Sequence, residues 1–369
     1  MQPCQRGRVA RISRRAHNPK IDGSNPSPAI MHATNIRLRD FIVTDNGWIF
    51  AASGYDHTGG VQAVLRYIPD QNGDREMGGV RYRKLDFDES GEFLEKNHAS
   101  WKFRLPEDAI AKVLRSNERI PALAKEDPRV AVIVDVLKSA GIPIDKMGVT
   151  GSMLPGLQIG GSDIDFVVYG RYWFLARNAI LQEISRNKGR DRDQDRDRDG
   201  DRDRDSDKLE ITEISEEMWH QIYAKRVPEI SFEEFLSHEL RKGNRGMVGG
   251  TYFDLLFVRD WDQLPVTQER GTDLHRCSLT ARVLSADLAF DSPAVYEIDH
   301  PVVSKILCYT HTYAGQALAG EVVEARGMLE DVRGQKRLVV GTSREPVGEW
   351  MRSLDLLGRA TAVRGVTGA

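Results

Sequence analysis

With 369 residues, 40% hydrophobic content and a formal net charge of −3, the chain exceeds one compact core and is apolar enough to fill two or three. The near-neutral balance excludes a general electrostatic affinity for nucleic acid or acidic membranes, so any such footprint must be local. No apolar run approaches the ~18 residues of a membrane span, and Cys4, Cys277 and Cys308 show neither metal-ligand spacing nor a disulfide framework, which points to a reducing, cytoplasmic setting.

Residues 1–30 carry Arg6, Arg8, Arg11, Arg14, Arg15 and Lys20 against a single acid, Asp22, and lack the apolar core of a secretory signal. They read as a disordered basic extension ahead of Met31, a candidate start, with a nucleic-acid-binding arm as the alternative. Residues 31–105 read as a β-rich N-terminal domain. Expected strands at 41–44 and 48–51 flank Asp45-Asn46-Gly47, a hairpin signal, and further strands are expected at 61–68 and 80–87. Two stretches, 81–84 and 97–104, interleave cations with aromatics as platforms for single-stranded nucleic acid do. Half-buried strands or interdomain packing would produce the same pattern.

Residues 106–262 read as an α/β unit. Apolar spacing predicts helices at 106–115 and 128–140, the second closed by Gly141. A strand at 145–151 then leads into Gly151-Ser152, followed after a spacer by Ser162-Asp163-Ile164-Asp165-Phe166. Successive side chains of an extended backbone alternate faces, so Asp163 and Asp165 share one face roughly 7 Å apart, and Ile164, Phe166 and Val168 take the other. Two ionised carboxylates beside a core need compensating charge. Magnesium, a hard ion that combines one or two carboxylates with substrate phosphates, supplies it, while a Gly-Ser turn entering a helix offers amides to a phosphate.

Helices expected at 172–184, 215–225 and 232–242 cover the sheet, and a strand at 250–258 contains Asp254. An insert at 189–208 alternates Asp with Arg and carries no apolar side chain that could seed a core, so it reads as disordered. Residues 276–369 read as a β-rich C-terminal domain. Strands at 279–284, 304–313, 320–329 and 337–341 suggest a small barrel, such as an oligonucleotide-binding fold, before a terminal helix at 345–357.

The run Val149-Thr150-Gly151-Ser152 with Asp163-Ile164-Asp165-Phe166 resembles the signature of the DNA polymerase β-like nucleotidyltransferase superfamily. From Met31 onward the chain is also similar to stand-alone, mostly archaeal nucleotidyltransferase-domain proteins. The resemblance implies an α/β (α+β) core with a mixed sheet, flanked by β-rich domains. It also implies a third carboxylate on a later strand, matched by Asp254 in preference to Asp260 and Asp262, which lie past the apolar run. Two Mg2+ ions, or Mn2+ in their place, would be held by Asp163, Asp165 and Asp254. The implied reaction moves a nucleoside monophosphate from a triphosphate such as ATP to an acceptor hydroxyl on RNA, a small molecule or a protein side chain, Asp254 accepting the proton. Gly151, Ser152 and Ser162 would grip the triphosphate. Arg245, in a loop at 239–246, would reach its oxygens, unless those cations only offset a helix dipole. A catalytically silent nucleic-acid-binding protein that keeps the fold is the competing reading.

Overall fold

The structure is a computed structural model that describes residues 35–196, 209–264, 269–342 and 347–358. The basic extension expected at 1–30 and the part of the Asp/Arg insert after Arg196 lie outside the described residues.

The first sheet comprises β1 (Phe41–Thr44), β2 (Ile49–Ala52), β3 (Val61–Pro69), β4 (Arg75–Met77), β5 (Val80–Lys84), β6 (Arg104–Leu105) and β7 (Ile110–Leu114). Its order is β4-β5-β3-β2-β1-β7, with β6 beside β3. Gly47, at φ +78°, turns the expected β1–β2 hairpin, which pairs Phe41 with Ala51. The expected strand at 80–87 stops at Lys84 because Asp86 caps helix α1 (Phe87–Asn97). Its carboxylate accepts from the amides of Asp88 and Glu89, and Glu89 reaches back to the cap amide, satisfying amide groups that a helix start leaves unpaired. No α-helix forms at 106–115, where a single 3-10 turn spans Glu107–Ala109. Residues 110–114 instead pair with β1, Leu114 opposite Phe41, so the N-terminal sheet extends past 105.

The second sheet is the expected α/β core. After α2 (Ser116–Glu126) and α3 (Pro128–Ser139) come β8 (Met147–Val149), β9 (Ile164–Tyr169), α4 (Tyr172–Arg196), β10 (Ile211–Thr212), α5 (Glu216–Arg226), α6 (Phe232–Lys242), β11 (Arg245–Val248) and β12 (Thr251–Val258). Sheet order is β10-β11-β12-β9-β8, with β9 and β12 parallel and the other pairs antiparallel. Ile164, Phe166 and Val168 join Phe253, Leu255 and Phe257 on one face, buried under α2, α3 and the start of α4. The opposite face presents Val167, Tyr169, Leu256 and Val258 to Leu38. Helices α5 and α6 were expected to cover this sheet; their Trp219 and Phe235 instead join the core of the C-terminal domain, with Met247 and Tyr252 of the sheet packed at its edge. Helix α4 continues into the Asp/Arg insert as far as Arg196, where a disordered segment was expected.

Strands β13 (Thr272–Leu288), β14 (Ala294–Asp299), β15 (Val303–Cys308), β16 (Val322–Val332), β17 (Gln335–Val340) and β18 (Trp350–Ser353) form the C-terminal domain. Their order is β13-β14-β15-β17-β16-β18, and β13 also pairs with β16, so five strands close a barrel, and β18 pairs with β16 alongside the stretch that β17 takes, burying Met351 in the barrel core. The terminal helix expected at 345–357 gives way to this strand over 350–353 and appears only at 354–358. Met351 and Ser353 are buried there while their neighbours are less so, the period of two that a strand requires.

The three domains meet at a buried cluster. Arg259, just past β12, pairs with Asp291 of the barrel at 2.7 Å, and Tyr55 of the N-terminal domain donates to Asp291 at 2.8 Å. Among the described residues no helix is long and apolar enough to cross a membrane.

Candidate nucleotide and metal site

The parallel register of β9 and β12 places Asp254 directly beside Asp165. Asp163 lies one residue ahead of β9, exposed at its mouth. The period of two keeps Asp165 and Asp254 on the face that continues through Val167 and Leu256, away from the main core, as the sequence predicts. Burial, then the charge of Asp254, push the Asp165 carboxyl up to about 6. Burial raises Asp163 as well, partly offset by Lys225 and Lys84. Asp254 is oriented: Asn244 Nδ2 donates to its Oδ1 at 2.9 Å, and Arg245 Nε to its Oδ2 at 3.2 Å.

The Gly-Ser element folds back over the acids. Gly151 sits at φ +62°, and a Cβ there would lie 2.1 Å from Asp165 Oδ2, so only glycine lets the backbone approach the carboxylate so closely. No helix follows. Residues 151–156 form successive turns, closed by a bond from the Leu157 amide to the Ser152 carbonyl at 2.8 Å. Leu154 and Leu157 then pack with Phe41, Tyr67 and Tyr82 of the N-terminal sheet, a contact that a helix over the α/β core would forgo.

Arg245 departs from its expected place. Helix α6 ends at Lys242, Gly243 takes φ +56°, and Arg245 begins a strand, register-paired with Asp254. Its guanidinium is buried between Glu239 and Asp254, so it organises the acid instead of standing free on a loop. Ser162 uses its hydroxyl to accept from the Ile159 amide at 3.0 Å, closing the turn ahead of Asp163.

Gly151, Ser152, Ser162, Asp163 and Asp165 line one cavity of about 250 Å³ together with Arg66, Arg75 and Lys84. These three cations are outside the sequence motif and come from strands of the N-terminal sheet. Arg75 donates to the Leu157 carbonyl at 2.7 Å, tying that sheet to the Gly-Ser turn. Arg39, at φ +74°, is a further cation by the acids: it opposes the rise of the Asp165 pKa and its carbonyl accepts from Thr150 Oγ1 at 2.8 Å. Lys84 lay in a stretch flagged by its composition. Arg39, Arg66 and Arg75 carry no local signal.

Among the described residues, no three His, Cys, Asp or Glu side chains gather closely enough to hold a metal unaided. Asp165 lies beside Asp254, whose own partners are Asn244 and Arg245, and an all-carboxylate donor set suits magnesium or manganese completed by phosphate oxygens. Asp163, Asp165 and Asp254 are the residues that could hold it.

No protein-family model matches the chain, and no solved structure matches it. It is 33% identical over 359 aligned residues to an uncharacterized protein of Methanocaldococcus jannaschii, MJ1086, a match spanning 86% of this chain and 98% of the relative. A likeness that runs through all three domains and nearly the whole of both proteins is that of one family, and the chain belongs to the family of this archaeal protein.

Proposed function

We propose that the protein is a magnesium-dependent nucleotidyltransferase that moves a nucleoside monophosphate from a nucleoside triphosphate to an acceptor hydroxyl. The observation that carries this reading is the pairing of Asp165 with Asp254 across parallel strands, with Gly151 packed against the Asp165 carboxylate and three cations lining the cavity that Asp163 and Asp165 face. Phosphoryl transfer depends mostly on positioning and charge neutralisation, for which such an arrangement is built.

Each residue then has a task. Arg66, Arg75 and Lys84 neutralise phosphate oxygens, while Ser152 and the amides of the Gly-Ser turn orient them. Asp254, held by Asn244 and Arg245, takes the proton from the acceptor hydroxyl as its oxygen bonds to the α-phosphorus. The bond to the bridging oxygen breaks and pyrophosphate leaves. When bound by Asp163, Asp165 and Asp254, magnesium would supply positive charge to the phosphates and acidify the hydroxyl. No covalent enzyme intermediate is required.

The test is calorimetric titration of the full chain with each nucleoside triphosphate, with and without magnesium, followed by incubation with labelled triphosphates and total cellular RNA. Magnesium-dependent nucleotide affinity and label transferred to RNA, protein or a small acceptor are expected. Absence of any magnesium-dependent affinity would replace this reading with that of a silent nucleic-acid-binding protein.

A further inference from the structure

A second, larger cavity of about 1160 Å³ opens beside the acid site, between the N-terminal sheet, α1 and the C-terminal barrel. Arg66 and Lys84 line both cavities, so the two are walled by the same cations. The volume exceeds the ~300–1,000 Å³ of a typical small-molecule pocket. We propose that this groove holds a single-stranded nucleic acid and delivers its 3′ end to the acids, which makes a polynucleotide the acceptor. The direction of the strand rests on the transferase reading above; the binding of the strand does not.

Large aromatic side chains stand in solvent along the groove: Phe103 is 75% exposed, Phe87 54% and Tyr309 46%. Exposed rings in a basic groove are how proteins stack successive bases without reading their sequence. They come from separate parts of the chain, Phe87 from the start of α1, Phe103 from the segment before β6, and Tyr309 from just past β15. None of the three joins a buried core cluster, and Phe103 meets Lys102, whose ammonium lies 5.7 Å from its ring centroid. The neighbouring aromatics of the same segment do pack: Trp101 stacks on His98 at 4.2 Å and meets Trp48 edge-on at 5.8 Å.

The charges are arranged in the same sense. Of the acids on the groove wall, Asp56 pairs with Arg104 at 3.1 Å, Glu89 pairs with Arg83 at 3.4 Å, and Asp86 caps α1. Lys102 pairs with Glu95. Arg66 and Lys84 are in no ion pair with a described acid, and they stand where the groove meets the acid site. On the barrel side the wall includes Ser292 and Pro293, in the connection between the first two barrel strands, one of the loops by which five-stranded barrels of this kind take oligonucleotides.

The experiment is fluorescence anisotropy with the full chain and labelled 12-residue RNA and DNA single strands, alongside an RNA duplex of the same sequence, in chelator so that no transfer occurs. Single strands should bind more tightly than duplex. Phe103→Ala should weaken them roughly tenfold, Phe103→Trp should restore binding, and Arg66→Gln should flatten the salt dependence. Melting curves report on folding, which a ring this exposed should not govern. Equal affinity for duplex, or single-strand affinity unchanged in the Phe87→Ala, Phe103→Ala double variant, overturns the groove. Magnesium-dependent nucleotide binding without strand binding also overturns the groove alone and leaves a small acceptor. Ring-dependent strand binding without nucleotide binding keeps the groove and overturns the transferase reading.

Discussion

Asp165→Asn removes one of two carboxylates lying side by side on β9 and β12 while conserving shape. Burial and Asp254 push the wild-type carboxyl up to about 6, whereas in the unfolded chain it titrates near ~3.9. The native state therefore binds this proton more tightly than the unfolded state, and wild-type stability falls as pH rises from about 4 to about 6. At 1.36 kcal/mol for each tenfold difference in proton affinity, the loss reaches at most ~3 kcal/mol above that window. The asparagine variant escapes it. Without ligand it should be more stable than wild type by ~1–3 kcal/mol at alkaline pH, with the difference vanishing toward pH ~4. The same change should abolish the stabilisation that magnesium and ATP together confer on wild type, since the anion that attracts the cation is gone. Denaturant unfolding at both pH values, in chelator and in magnesium with ATP, measures both effects. A variant less stable than wild type at alkaline pH, or one stabilised by magnesium and ATP as strongly as wild type, would refute the view that Asp165 is an under-compensated charge awaiting a cation.

Gly151→Ala would place a Cβ 2.1 Å from Asp165 Oδ2 at φ +62°. It should cost ~1–2 kcal/mol through the backbone alone and lower magnesium-dependent nucleotide affinity tenfold or more. Gly156→Ala, with φ +76° and nothing near its Cβ, should show only the backbone cost in the same titration. Asp254→Asn should leave nucleotide affinity within a fewfold of wild type and cut single-turnover transfer by roughly a hundredfold. Asp260→Asn should not slow transfer, because Asp260 caps a short helical turn and bonds Lys146 at 2.5 Å. Asp291→Ala removes the carboxylate that pairs with the buried Arg259 and accepts from Tyr55, so urea unfolding should report a loss of ~3–5 kcal/mol.

The elements legible in the sequence are those whose signals are local. The Asp45-Asn46-Gly47 hairpin, the helix at 232–242 and the strand around Asp254 all appear where spacing and turn residues place them. Elements decided by partners elsewhere were misread. Residues 110–114 have helical apolar spacing, yet their backbone groups complete the edge of the N-terminal sheet against β1. Residues 350–353 likewise extend the barrel through β16. Helices α5 and α6 were legible as helices, but not as packing on the barrel, because an apolar face does not name its partner.

The same division runs through the site. Gly151-Ser152 and Asp163-Ile164-Asp165 are readable because β8 and β9 are successive antiparallel neighbours, so the turn and the acids that it covers are close in sequence. Asp254 becomes their neighbour only through the register of β12 with β9, and Arg245 becomes its partner only because the chain reverses at Gly243 and Asn244 into a strand. With Arg245 committed to Asp254 and Glu239, the cations that line the cavity with Asp163 and Asp165 are Arg66, Arg75 and Lys84 of the N-terminal sheet. That sheet is therefore one wall of the cavity that Asp163 and Asp165 line, not an appendage to it. Under the transferase reading, its orientation, secured by Arg75 on the Gly-Ser turn and by Tyr55 on Asp291, governs catalysis as directly as the acids do.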